Sequence, residues 1–329
     1  TAANNPAIGA DTLWQGLKVT NPGGLVTVGT GANILILGTA GINMSAATQD
    51  VYLNGASLNV GTSDQTWNVG SRYLRVGAGN LAGVLSGSST ITISGSGLVD
   101  LNPTTTGASG FSGKWIVNSG ATLRTTRNSG PALGSNTSAD AVTLNGGTLA
   151  VGGFTGSGAQ GNWTWNSPIT LATSTSSKLS EQIPGTAAAR SLTLTGAITG
   201  SGNLTFEKTL MTSMNYILQN LGTTAGARTN VMGTGDITVN GVTLTLQAGS
   251  TGNAMTHTNK INLIGGTLVS DDAVQTFAGN ITLAGANTIQ ARWTGKNAIL
   301  GGTISDGASA GSVTYSTANN TDIIIYVNG

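Results

Sequence analysis

The chain has 329 residues, 51 of them Gly, with only 8% charged residues and a formal net charge of +1. Charge this sparse and scattered speaks against a nucleic-acid partner, which needs a clustered basic face to release phosphate counterions. The 38% hydrophobic content separates the chain from the disordered class, and the lack of cysteine excludes disulfides and thiolate metal sites.

In chain order, TLWQGLKV (12 to 19) is strand-like, so 1–20 reads as an N-terminal cap or assembly strand. From residue 52 a phrase recurs: YLNGASL at 52 to 58, the looser VNSGATL at 117 to 123, TLNGGTL at 143 to 149, VNGVTL at 239 to 244 and NLIGGTL at 262 to 268. Each copy has an apolar residue, a polar turn containing Gly, then a small residue and Leu. That pattern predicts two short strands around a corner, with Gly and Asn accepting positive φ. Period-2 alternation assigns faces: in SLTLTGAI, Leu192 and Leu194 point inward while Thr193 and Thr195 point out, and ITI (91 to 93), ITV (237 to 239) and ITL (281 to 283) repeat this. TLMTSMNYILQNLG (209 to 222) fits strands, although Leu210, Met214, Ile217, Leu218 and Leu221 also suit one helical face. TDIIIYVNG (321 to 329) carries five consecutive strand formers without a charged guard, so it reads as a C-terminal assembly strand or as a strand paired within the subunit.

Short strands with frequent turns suit a coil that stacks on itself. The expected fold is all-β, one parallel β-helix (β-solenoid) over residues 1–329, with roughly 20 to 25 residues per turn and roughly 15 coils. No run of 18 apolar residues offers a transmembrane segment, and no leader-like segment opens the chain, so Thr1 reads as a mature or excised start.

Candidate chemistry is thin. His257 is the single histidine and sits in the polar phrase AMTHTNK, which reads as a solvated or locally hydrogen-bonded loop. Glu181 and Glu207 are the only glutamates, and Asp271 and Asp272 are adjacent, so on a strand they point to opposite faces. They read as a solvated corner; a hydrolytic pair would need Asp271 to meet a carboxylate on a neighbouring coil. GSGAQG (156 to 161) matches the dinucleotide fingerprint, with Glu181 downstream, but a strand follows where that motif needs a helix. Trp163 and Trp165 share one strand face, with Trp67, Trp115 and Phe277 in comparable places. Outward they would form a platform for sugar rings, and inward they would fill a wide coil, the reading that Phe277 at the equivalent position favours. Asn-x-Ser/Thr triplets begin at Asn43, Asn136, Asn162, Asn203 and Asn280, in a chain rich in all three residues. These residues assign no catalytic, cofactor-binding or metal-binding role.

AITGSGNLTFEK (197 to 208), GFSGKWIVNSGATLRT (110 to 125), PALGSNTSADAVTLNGGTL (131 to 149) and VMGTGDITVNGVTL (231 to 244) together resemble the autotransporter-associated β-strand repeat of bacterial surface adhesins. The resemblance covers most of residues 50 to 310 and implies a right-handed β-helix on or outside a cell surface. The expected function is an extracellular structural or adhesive β-solenoid, not an enzyme and without cofactor, assembling end to end into a fibre, stalk or matrix. A glycan-binding adhesin domain and a carbohydrate-active β-helix enzyme are the alternatives. The expected partners are copies of itself and surface glycans or matrix.

Overall fold

The computed structural model describes residues 7–77, 84–101, 110–125, 133–152, 162–182, 189–219, 228–229, 232–247, 254–271, 274–292, 297–317 and 325–327. Among them every regular element is a strand, and the strands stack in parallel as a β-solenoid of about 10 turns. No helix among the described residues is long and apolar enough to cross a membrane. The expected 15 coils are too many because turns lengthen by inserted loops. Hydrogen bonds from one coil to the next join residues 20 apart where Thr282 Oγ1 donates to Asn262 Oδ1 but 34 apart where Thr234 Oγ1 donates to the Gly200 carbonyl.

The chain divides into two compact units, one of residues 1–160 with 182–184, the other of 161–181 with 185–329. In the first unit each turn uses three strands. The first face stacks residues 12–14, 34–36, 57–59 and 84–87 onto Gly110–Phe111. The second stacks 42–43, Gln65–Asn68, Thr90–Ser94, Lys114–Asn118 and Val142–Asn145. The third stacks 26–29, 51–54, Tyr73–Val76, Leu98–Leu101, Thr122–Thr125 and Thr148–Val151. In-register stacking lays like positions over like, so the inward columns form the core: Val51, Leu74, Val99, Leu123 and Leu149 in one column of the third face are all buried, as are Val28 and Leu53 in the other.

In the second unit, Ser176–Glu181, Asn203–Glu207, Ile237–Asn240 and Ile261–Ile264 stack in one column, and Trp163–Trp165, Arg190–Leu194, Met214–Leu218, Thr243–Gln247 and Thr267–Asp271 stack in another. Arg228–Thr229, Met255–His257, Gln275–Phe277, Ala298–Leu300 and Ile325–Val327 form a separate five-stranded ladder. Met214–Leu218 alternates buried and half-buried residues, so the described part of 209–222 is strand rather than helix. Thr12–Thr20 pairs with the long Val26–Ala46 strand, and Ile325–Val327 pairs with Ala298–Leu300.

Two devices hold the corners. The first is glycine where coils touch: Gly70 and Gly95 both have positive φ, and a Cβ on Gly95 would stand 2.5 Å from the Gly70 carbonyl oxygen. The second is an Asp or Asn beside a strand whose Oδ1 accepts the opening N–H of the strand one coil on. Asp11 takes Ile34 N at 2.8 Å, Asp50 takes Tyr73 N at 3.0 Å and Asp64 takes Thr90 N at 2.9 Å. Asn162, Asn203 and Asn280 do the same for Ser191, Asp236 and Thr303. The Thr90 hydrogen bonds hold the Asp64 carboxyl below its usual range.

Candidate functional site

The ionisable groups singled out in the sequence belong to the scaffold. His257 is not in a solvated loop: Met255, His257 and Asn259 alternate inward, and the outward Thr256 and Thr258 give the phrase its polar look. The ring stacks on Phe277 with centroids 5.2 Å apart, and Nε2 lies 2.7 Å from Gln275 Oε1. Gln275 gives its own Nε2 to Met255 Sδ at 3.4 Å, so its oxygen faces the imidazole and accepts. The proton therefore sits on Nε2, and Nδ1 is a buried lone pair without a partner. Burial pushes the imidazole pKa down, and the Gln275 hydrogen bond opposes this.

Asp271 is likewise buried rather than at a solvated corner, because it forms an ion pair with Arg292 Nη1 at 3.1 Å. Asp272 lies outside the described residues. Glu181 is fully buried, and its Oε2 accepts the N–H groups of Leu210 at 3.0 Å and Met211 at 2.9 Å, with Thr209 N at 3.4 Å. Consecutive N–H groups aimed at one oxygen make an anion nest supplied by the next coil. Glu207 meets Lys178 Nζ with both oxygens at 3.2 Å. In the first unit, Arg124 holds buried Asp100 through two bonds of 3.0 Å and reaches the Gln182 carbonyl at 3.3 Å. Among the described residues no three of His, Cys, Asp and Glu gather where they could share a metal ion. GSGAQG lies outside the described residues.

The aromatic residues separate into two groups. Trp67, Trp115, Trp163, Trp165 and Phe277 are all buried, as the core reading expects. Trp115 packs on Trp67 edge-on at 5.9 Å and gives its indole N–H to the Leu133 carbonyl. The aromatic rings that reach solvent in the first unit's third face are tyrosines. Parity on Val51, Leu53, Leu74 and Val76 turns Tyr52, Tyr73 and Arg75 outward.

Two outward columns result: Leu25, Asp50 and Tyr73 in one, Thr27, Tyr52, Arg75 and Asp100 in the other. Leu25 is 44% and Tyr73 43% exposed. The Arg75 guanidinium carbon stands 5.6 Å from the centre of the Tyr52 ring, a cation–π contact. Partial burial and the nearby Asp50 raise the Tyr52 phenol pKa, with Arg75 opposing and Asp100 adding. Asp50 Oδ1 is taken by Tyr73 N–H, while its Oδ2 has no partner among the described residues. The chain can therefore offer a ring, an aliphatic surface and a fixed acceptor side by side.

No family model, no curated protein and no solved structure matches the chain.

Proposed function

We propose that the chain is an extracellular structural and adhesive β-solenoid of the bacterial surface, a subunit that assembles end to end into a fibre, stalk or matrix. The observation that carries this reading is where the buried acids stand. Asp100, Glu181 and Asp271 bind groups that hold coils together, and such placement serves a scaffold rather than a reacting centre. The autotransporter-like phrases point the same way, since they fall on corners and core strands. A neutral, hydroxyl-rich and amide-rich exterior suits contact with like copies and with surface glycans.

Electron microscopy of the purified chain over a concentration series tests the assembly. Filaments should lengthen with concentration, and deletion of 321–329, which includes the Ile325–Val327 strand, should shorten them while the far-ultraviolet β signal persists. Particles of one short length at every concentration would refute the fibre.

A further inference from the structure

We infer that the outward face of Leu25, Asp50, Tyr52 and Tyr73 in the first unit binds a neutral glycan chain. The inference deepens the adhesive reading above and rests on it. Along one column, consecutive coils present an aliphatic group, a carboxylate and an aromatic ring, at the strand spacing of about 4.8 Å. A pyranose chain displays the matching sequence, C–H faces that pack on Leu25 and the Tyr73 ring and hydroxyls that donate to a fixed acceptor.

The acceptor and one ring are set before a ligand arrives. The Tyr73 N–H bond at 3.0 Å orients the Asp50 carboxylate and leaves Oδ2 to receive a hydroxyl, a bond strengthened by the charge. Arg75 lies over Tyr52 and in register with Asp100, so the second ring is held and the guanidinium is engaged. Holding the Tyr52 ring and the acceptor in advance lowers the ordering penalty that weakens contacts made by mobile side chains.

Charge decides among glycans. The carboxylate oxygen turned to the ligand is anionic and the Arg75 guanidinium lies over the Tyr52 ring, so uronate or sulfate groups are repelled while uncharged hydroxyls are accepted. The buried tryptophans, by contrast, offer no ligand surface.

Affinity electrophoresis of the full chain through gels containing glucomannan, mannan or soluble starch, with polygalacturonate and dextran sulfate as acidic controls, tests the site. The chain should be retarded by at least one neutral polymer and by neither acidic one. Tyr73→Ala and Asp50→Asn should each weaken retardation by about ten-fold or more in Kd. Asp50→Asn keeps the Oδ1 acceptor for Tyr73 N–H, so its melting temperature should stay near that of the parent. Thr92→Ala, on the second face, should bind as the parent does. Free mobility in every neutral gel, retardation that survives Tyr73→Ala, or retardation by the acidic polymers alone would overturn the site. Filament length of the Tyr73→Ala chain separates this outcome from a failure of the structural reading, because Tyr73 lies outside the Ile325–Val327 strand on which the assembly test turns.

Discussion

In the first unit the outward column of the third face runs Thr27, Tyr52, Arg75, Asp100, Arg124 and Ala150, whereas in the second unit the strands after the same kind of Gly corner place Ile217, Thr245, Val269, Gln290 and Ser316 in their column. Both columns are partly buried, and both rest on the same parallel backbone ladder. One is charged and the other neutral. The ladder therefore fixes where an outward side chain stands and leaves its chemistry open, but the charged choice creates dependence. Asp100 without Arg124 is a stranded buried carboxylate, while Thr245 has only a single 2.9 Å bond to Asn215 at stake.

That contrast can be broken most forcefully at Arg124. Arg124→Met alone should cost about 3–5 kcal/mol, because it leaves Asp100 buried and uncompensated, whereas Asp100→Leu with Arg124→Met should regain most of the loss. Urea unfolding of the two variants reads the difference directly. A smaller effect separates the units by pH. The chain's single histidine, His257, is buried in the second unit with a depressed pKa, so the unfolded chain takes up its proton first. Its contribution is complete above the unfolded value of about 6.5 and is lost as the pH falls from there through the folded pKa, at about 1.4 kcal/mol per pH unit of depression. Thermal unfolding between pH 7.5 and 5 should show this slope, and His257→Phe should flatten that window while the first unit's response stays as it was. The smallest effect belongs to Thr245→Val, which should cost about 0.5–1.5 kcal/mol in the same urea measurement.

Much of the fold was legible because short strands with period-2 alternation leave few alternatives. The recurring phrases do mark corners, but YLNGASL turns from the third face to the first, while VNSGATL and TLNGGTL turn from the second to the third. The phrase encodes corner chemistry rather than a place in the coil, and the turns are fewer than expected because many run longer than 20 to 25 residues. Asn162-Trp-Thr, Asn203-Leu-Thr and Asn280-Ile-Thr gain a physical reading too: the Asn bonds to the next coil, the middle residue points inward and the Thr points out. Asn43 and Asn136 accept locally from the N–H and hydroxyl of Ser45 and Ser138, and Asn136 Nδ2 also donates to the Gly113 carbonyl one coil back.

The candidate face was partly legible. Parity alone turns Tyr52 and Tyr73 outward, while the larger side chains of Trp67, Trp115, Trp163 and Trp165 fill the core. The side-by-side placement of Leu25, Asp50 and Tyr73 could not be read, because it depends on coil lengths that vary. The anion nest around Glu181 was hidden for the same reason, its donors lying 28 to 30 residues downstream.

The corner clamp also bears on how the chain folds. An Asp or Asn such as Asp50 reaches no further than an adjacent coil, and the strand ladders on either side likewise join neighbouring coils. Each new turn closes a loop of similar, modest length onto a template already in place, so the entropy of closure, which grows only with the logarithm of loop length, is met one turn at a time. The slow event is the first pair of stacked turns. Growth from that nucleus is a zipper, and a local lesion halts it where it lies without erasing the turns already laid down.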